Sequence, residues 1–265
     1  MALIHVEHFS MALAGQNDFY AAIPNDVPPM MGDLNPCYKR PTKTLVLLHG
    51  YNGGAGDWVT GSRVRELANE FNLAVIMPDG GNSFYLDRER TGANYATYVG
   101  QELPAYVHSC FGLSAAPEDN FIGGYSMGGF GAIRTCLKYP QTYSKLFALS
   151  SALIVHQLKN MTPDMDNPMA NYAYYRDAFG DPATAESRDC NPEVLIDEKL
   201  RGGAALPGIY LACGSEDMLI QPNRAFKAFL EERGVPHVYH ESPGEHNWDF
   251  WNQYLKPAIQ WLLEA

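Results

Sequence analysis

Five short apolar runs, separated mostly by segments with helical spacing, constrain the fold of this chain most strongly. A strand that is apolar on both faces must be covered on both sides, as in a parallel sheet between two layers of helices. The runs lie at residues 44–48, 73–77, 120–122, 146–149 and 208–212, and the helical segments lie at 59–71, 95–111, 127–139 and 222–233. This alternation predicts an α/β fold with a mostly parallel, doubly wound sheet.

The two ends of the chain and one long excursion complete this prediction. Residues 3–11 and 19–23 are strand-like and predict an antiparallel start, while a last strand at 238–240 precedes a helix at 248–263. Residues 153–205 contain several prolines and no strong strand, and we interpret them as a small helical cap over the ligand crevice. The alternative is a surface insertion without a role. A length of 265 residues predicts a single domain over 1–265.

The segment Gly124-Tyr125-Ser126-Met127-Gly128 matches the nucleophile-elbow motif G-x-S-x-G. It follows the apolar run at 120–122 and opens a helical segment, as the strained strand-to-helix turn of such an elbow requires. The two glycines are needed because side chains at their positions would collide where the chain doubles back. This context favours Ser126 as a nucleophile over a glycine-rich helix start with an incidental serine.

A serine hydroxyl needs a base and a group that orients that base. In this fold the acid and then the histidine follow the serine along the chain. Asp217 follows the strand at 208–212 and is the candidate acid; Glu216 is the alternative, and a solvated loop acid is the interpretation without a role. His246 follows the last strand in a turn that contains glycine and is the candidate base, whereas His240 lies within that strand and is assigned to packing.

Two backbone N–H groups must stabilise the oxyanion of an acyl-transfer reaction. One is expected from Met127, which follows the nucleophile. The glycine-rich segment His49-Gly50-Tyr51-Asn52-Gly53-Gly54 follows the strand at 44–48, and its Tyr51 N–H is the expected second donor. The alternative for this segment is a plain tight turn.

Aromatic side chains are the candidate substrate-binding groups, because they bury large areas and offer flat faces. Trp58, Trp248 and Tyr125 are adjacent in sequence to the oxyanion, histidine and serine segments and are predicted to line the pocket. The predicted cap adds Tyr172, Tyr174 and Tyr175. The competing interpretation is that most of these rings pack the core. A compact pocket of this kind predicts a preference for acetyl to butyryl esters.

Composition excludes several other classes of protein. A net charge of −11 argues against nucleic acid and anionic membrane surfaces as partners. No apolar run approaches the roughly 20 residues of a membrane span, and the first residues lack the features of a secretory leader, so we expect a cytoplasmic protein. Five widely spaced cysteines predict reduced thiols, with Cys136 and Cys213 as packing residues. Metal-ligand spacing is absent, so we expect neither a metal nor a cofactor.

With these residues placed, the chain resembles the esterase D group of α/β-hydrolases, and within it the bacterial tributyrin and cinnamoyl (feruloyl) esterases. The resemblance covers nearly the whole chain, and the histidine segment discriminates best. The matching segments are Leu47-Leu48-His49-Gly50, Asp57-Trp58, Met77-Pro78, Glu102-Leu103-Pro104, Gly124 to Gly129, Cys213 to Asp217, and His246-Asn247-Trp248-Asp249-Phe250-Trp251. Carried over to these positions, the family triad falls on Ser126, Asp217 and His246, and its oxyanion donors fall on Tyr51 and Met127.

The resemblance implies hydrolysis of small-molecule carboxylic esters with short acyl groups, including acetylated or feruloylated plant-wall fragments, without a cofactor. Members of the group often form dimers or tetramers. S-formylglutathione hydrolases also belong to it, but they typically continue after the histidine with serine and tyrosines, where this chain has Asn247-Trp248. A thioesterase of that kind or an acyltransferase is therefore the alternative activity. A non-catalytic binding protein is a third hypothesis, which the presence of all three triad residues disfavours.

Overall fold

The computed structural model describes residues 1–88, 90–165 and 169–264. Within these residues, one eight-stranded sheet forms the centre of the protein. For Met31 the structure describes the backbone and not the side chain. The strands are β1 (Ala2–Ser10), β2 (Gly15–Ile23), β3 (Lys43–Leu48), β4 (Leu73–Pro78), β5 (Asn120–Tyr125), β6 (Lys145–Leu149), β7 (Gly208–Gly214) and β8 (Val238–Ser242), in the spatial order β1-β2-β4-β3-β5-β6-β7-β8.

β2 runs opposite to the other seven strands of this sheet. β1 pairs with β2 and β2 pairs with β4 in antiparallel register, and every later pair, from β4–β3 to β7–β8, is parallel. The carboxyl ends of β3, β5, β7 and β8 therefore lie at one edge, where the candidate catalytic segments follow them. The predicted α/β-hydrolase fold with an antiparallel start is confirmed.

Helices cover both faces of the sheet. They are α1 (Pro29–Leu34), α2 (Asp57–Gly61), α3 (Val64–Glu70), α4 (Tyr95–Thr97), α5 (Leu103–Phe111), α6 (Met127–Lys138), α7 (Val155–Leu158), α8 (Tyr172–Phe179), α9 (Pro192–Arg201), α10 (Ile220–Glu232) and α11 (Trp248–Leu263), with 3-10 turns at Pro36–Lys39, Pro117–Asp119 and Pro182–Ser187. In β3 the fully buried Val46 and Leu48 join one apolar cluster, while Leu45 and Leu47 join the other. This alternation explains why the run is apolar at every position.

Two predicted helices depart from a regular α-helix for identifiable reasons. The segment at 59–71 is broken at Ser62, whose hydroxyl donates to Trp58 O and accepts from the N–H of Val64, so that α2 ends and α3 begins there. The segment at 95–111 is continuous but contains a π-turn over Tyr98–Glu102. Pro104 has no N–H to give to the Gly100 carbonyl, and the hydroxyl of Thr142 donates to that carbonyl instead, at 2.9 Å.

The excursion at 153–205 contains α7, α8, a 3-10 turn and α9, and no strand among its described residues. Its first part, from Ile154 to Tyr175, contributes several side chains to the cavity above the carboxyl end of β5. This position over the sheet edge is the one that a cap requires. Cys136 and Cys213 are buried and free, as predicted for packing residues.

Candidate active site

Ser126 occupies a strained turn between β5 and α6. Its backbone angles are φ 55° and ψ −121°, a conformation that a residue with a side chain rarely adopts. A Cβ atom at Gly124 would overlap with the carbonyl of Gly128, and one at Gly128 would overlap with the carbonyl of Leu48. Both positions therefore require glycine, and the turn holds the serine hydroxyl at the sheet edge.

Three side chains from separate strand ends form one hydrogen-bonded chain. Nε2 of His246 lies 3.0 Å from Oγ of Ser126, and Nδ1 of His246 lies 2.9 and 3.0 Å from the two carboxylate oxygens of Asp217. A carboxylate accepts hydrogen bonds only, so the proton of a neutral His246 belongs on Nδ1. Nε2 is then free to accept the proton of the Ser126 hydroxyl, which is the arrangement of a Ser-His-Asp triad.

Asp217 is held as a carboxylate although its side chain is completely buried. Burial alone would raise its pKa, but hydrogen bonds from His246, from the Leu219 N–H and from Ser150 outweigh burial and hold the pKa below its usual value. An ionised Asp217 can orient the imidazole and stabilise the imidazolium that forms when Ser126 gives up its proton.

Glu216, the alternative acid, makes different contacts. Its carboxylate accepts hydrogen bonds from the N–H of Gly244 at 2.5 Å and from the hydroxyl of Ser215 at 2.8 Å. The backbone N–H of Glu216 in turn donates to the carbonyl of Gly244. Glu216 thus fastens the end of β7 to the turn that carries His246, and no bond to the imidazole is recorded for it among the described residues.

The two expected oxyanion donors, Tyr51 and Met127, line the same cavity as Ser126 and His246. Within the described part of the chain, neither N–H donates to a recorded acceptor. The Met127 N–H opens α6, where the first N–H groups of a helix have no partner within the helix. Both groups are therefore available to an anion beside Ser126.

His49 fixes the direction of the Tyr51 N–H, a role that the sequence did not predict. Its Nε2 accepts from the N–H of Gly80 at 2.8 Å, so its Nδ1 carries the proton and donates to the carbonyl of Gly50, also at 2.8 Å. The Gly50 carbonyl and the Tyr51 N–H belong to the same planar peptide and point in opposite directions. Holding the carbonyl therefore orients the N–H. The only signal in the sequence was the His49-Gly50 pair directly after β3.

Asn82 stabilises the loop that carries Tyr51, which we call the oxyanion loop, through hydrogen bonds to Asn52. It accepts from the backbone N–H of Asn52 at 2.7 Å and donates to the side chain of the same residue at 3.0 Å. Asn52 has a φ of 61°, so these bonds stabilise a left-handed turn directly after Tyr51. The backbone carbonyl of Asn82 accepts from the hydroxyl of Tyr174, whose ring lies 5.5 Å from that of Tyr51. The 153–205 excursion and the oxyanion loop are thereby connected.

Three aromatic residues that were expected to bind substrate, Trp58, Tyr125 and Trp248, lie outside the cavity at Ser126. Trp58 is fully buried, its ring contacts those of Tyr125 and Trp248, and its indole donates to the carbonyl of Leu48. The hydroxyl of Tyr125 donates to Asp57 at 2.6 Å, and burial together with this bond raises the pKa of Tyr125. None of the three is among the described residues that line the cavity at Ser126. They pack beneath the nucleophile turn and support it.

The cavity at Ser126 has a volume of about 460 Å³ and a largely apolar wall. The described residues of that wall include Met127, Met161, Met165, Met169 and Met218. Of the predicted cap tyrosines, Tyr175 reaches it. The described lining residues include no lysine, arginine, aspartate or glutamate. Apart from Met127, the sequence did not predict these methionines, because the segment between α7 and α8 and the residue after Asp217 have no motif in common.

The comparisons with known proteins identify the family of the chain. The sequence matches the putative esterase family over residues 34–262. The chain belongs to this family. An acetyl esterase of Caldicellulosiruptor saccharolyticus is 39% identical over 100% of this chain and 99% of its own length. The family placement and the assignment as a carboxylic ester hydrolase are thereby confirmed.

Solved structures of similar proteins lie in the same enzyme class. The fluorophosphonate-binding serine hydrolase FphF of Staphylococcus aureus superposes with a TM-score of 0.85 at 28% identity, covering 100% of this chain and 99% of its own. An S-formylglutathione hydrolase from the same organism gives a TM-score of 0.82 at 27% identity, covering 99% of each chain. Within residues 1–88, 90–165 and 169–264, no helix is long and apolar enough to cross a membrane.

Proposed function

We propose that this family member is a serine carboxylesterase that hydrolyses small esters with short acyl groups. The observation that carries the proposal is the continuous chain from Ser126 through His246 to the buried Asp217, with contacts of about 3 Å at each step. The named activity of the acetyl esterase relative is consistent with an acetyl group as the smallest acyl unit.

The reaction follows from the positions of these groups. Oγ of Ser126 attacks the ester carbonyl carbon while Nε2 of His246 takes its proton. The N–H groups of Tyr51 and Met127 stabilise the resulting oxyanion. His246 then returns the proton to the alcohol oxygen as the bond to the carbonyl carbon breaks, leaving an acyl group on Ser126. Water, activated by the same imidazole, attacks this acyl-enzyme and releases the acid.

The alternative substrate, S-formylglutathione, is supported by the similarity to the S. aureus hydrolase. The cavity disfavours it. Glutathione carries two carboxylates, whereas the described lining offers no cationic side chain and the whole protein carries a net charge of −11. A buried or half-buried carboxylate without a cationic partner is costly. An oxygen ester without charge fits this lining better.

A substrate panel tests the proposal. The panel comprises p-nitrophenyl acetate, butyrate, octanoate and decanoate, with methyl ferulate and S-formylglutathione. We expect the highest kcat/KM for the acetate or butyrate and a steep fall beyond the octanoate. The thioester should be slower than both short esters. Higher kcat/KM for S-formylglutathione than for every oxygen ester would assign the enzyme to the thioesterases instead.

A further inference from the structure

Five of the ten methionines of the chain are among the described residues that line the cavity at Ser126. Met127 differs from the other four because it is fully buried and its sulfur accepts from the N–H of Phe84 at 3.3 Å. We call the other four the methionine wall: Met161, Met165, Met169 and Met218. Their function is not explained by the catalytic chemistry, which requires none of them.

Three members of the methionine wall are unusually exposed. Met165 is 49% exposed, Met169 55% and Met218 70%. A single exposed apolar side chain is ordinary on a protein surface, but a group of them around one cavity marks a binding surface. They also come from two separate parts of the chain: the segment after α7 and the residue directly after Asp217. A molecule in the cavity would cover both.

The position of Met218 indicates which part of the ester it meets. Met218 and Leu219 follow Asp217 directly, and Asp217 holds His246. His246 Nε2 must protonate the alcohol oxygen when the ester bond breaks, so the alcohol part of the substrate lies on the histidine side of the cavity. A short acyl group also occupies only a small share of about 460 Å³, which leaves most of the cavity to the alcohol.

The chemistry of the wall selects the kind of alcohol. Methionine side chains are flexible and polarizable and adapt to aliphatic and aromatic groups of different shape. They offer no strong hydrogen-bonding groups to hydroxyls, and apart from Tyr51, Ser126 and His246 the described lining has polar side chains only at Gln157 and Tyr175. A sugar would leave several hydroxyls without partners, at a cost for each one.

We propose that the methionine wall binds the alcohol part of the ester and selects apolar alcohols, a medium-length aliphatic chain or a single aromatic ring, over sugars. This inference rests on the proposed esterase function and names the substrate class of that site. Short-chain esters of apolar alcohols are then the preferred substrates, and acetylated sugars are poor ones.

The test holds the acyl group constant and varies the alcohol. The substrates are ethyl, hexyl and benzyl acetate and a methyl glucoside that carries a single acetyl group, and the measured quantity is kcat/KM. Each buried methylene contributes up to about fourfold, so wild-type protein should prefer hexyl over ethyl acetate by about tenfold or more. Benzyl acetate should also exceed the sugar acetate. A sugar acetate that outruns hexyl and benzyl acetate would overturn the proposal.

Two quadruple variants of the wall separate apolar binding from packing. Replacing all four methionines by glutamine keeps their length but adds polar groups, and it should reduce the hexyl-to-ethyl ratio to near one. Replacing all four by leucine keeps an apolar wall and should retain most of the ratio. The single variant Met218→Gln should lower the ratio in a protein that folds normally, because this side chain is 70% exposed. Met11→Gln, at a site 79% exposed and outside the cavity, is the control and should leave the ratio unchanged.

Failure of this inference and failure of the proposed function give different results. If wild-type protein hydrolyses ethyl acetate but glutamine at the wall leaves the hexyl-to-ethyl ratio intact, the esterase assignment stands and the methionine wall is not the alcohol site. An equal fall of the ratio in the leucine and glutamine variants would also overturn the proposal. If wild-type protein hydrolyses none of the acetates or p-nitrophenyl esters, the proposed function itself fails.

Discussion

The edge of the sheet that carries the candidate catalytic residues and the wall of the cavity above it are built in different ways. At the edge, glycine requirements and hydrogen bonds fix each backbone segment: the turn at Ser126, the peptide between Gly50 and Tyr51, and the Gly244 turn before His246. The wall consists of flexible apolar side chains, several of them exposed. This difference indicates that the chemistry is fixed by the fold, whereas substrate choice depends on side chains that can change without disturbing it.

The largest expected effect on activity comes from a substitution of Ser126 at the edge of the sheet. Ser126→Ala should lower kcat by about 10⁴ or more, because the nucleophile, base and acid act as a unit. The control is Ser109→Ala, an exposed serine on α5, which should retain wild-type activity. The measurement is the initial rate with p-nitrophenyl acetate. If the Ser126→Ala variant kept a tenth of wild-type turnover, the nucleophile would have to be another group.

A second comparison concerns the two neighbouring acids. Asp217→Asn should lower kcat by about 10⁴, because an asparagine no longer favours the tautomer in which His246 Nε2 accepts a proton. Glu216→Gln alters the contacts of that side chain with the Gly244 N–H and the Ser215 hydroxyl, neither of which involves the imidazole, and should lower kcat less than about tenfold. Steady-state kinetics of the two isosteric variants decide the assignment. The reverse order of activities would move the acid to Glu216.

The parts of the site that the sequence predicts are those that follow strand ends. Ser126, Asp217 and His246 each follow a strand of a parallel sheet, so the order of the strands alone brings them to one edge. The fold was likewise predicted from runs that are apolar on both faces, and it is confirmed. Neither prediction, that of the fold or that of the three site residues, required the orientation of a side chain outside a helix or strand.

The cavity wall could not be predicted in this way. Tyr125 and Trp248 lie within two residues of the candidate nucleophile and base, but their rings pack with the core beneath the turn, because nearness in sequence does not specify the face. Of the methionines in the wall, Met161, Met165 and Met169 lie between α7 and α8 and Met218 follows Asp217, and no motif links these two parts of the chain. The break of the predicted helix at Ser62 was missed for a similar reason, because it depends on local bonds of one hydroxyl rather than on hydrophobic spacing.

A smaller effect is expected on stability at the glycine positions of the edge. Gly128→Ala places a methyl group against the carbonyl of Leu48 and should lower the free energy of unfolding by about 1–3 kcal/mol. Gly202→Ala is the matched control, because its new methyl group meets only ordinary contacts at the end of α9. Denaturant unfolding compares the two. Equal stability of both variants would show that the turn can relax around a side chain.

The smallest effect concerns pH. Because the folded-state pKa of Asp217 is lowered, the stability that its ionisation contributes is fully present above the ordinary aspartate value of about 3.9 and is lost as the pH falls through the lower folded value. The difference in free energy of unfolding between wild type and Asp217→Asn should therefore become less favourable to wild type as the pH is lowered below about 4. A difference that stays constant over this range would contradict a stabilised carboxylate.

The central claim, that an acyl group is transferred to Ser126, is tested most directly by mass spectrometry of the enzyme quenched with acid during turnover of p-nitrophenyl butyrate. Because deacylation uses the same imidazole as acylation, the His246→Ala variant should be examined beside wild type at long incubation. The account predicts a mass increase of one butyryl group, located by peptide mapping on the peptide that contains Ser126 and absent from the Ser126→Ala protein. A butyryl group on another residue, with none on Ser126, would contradict it.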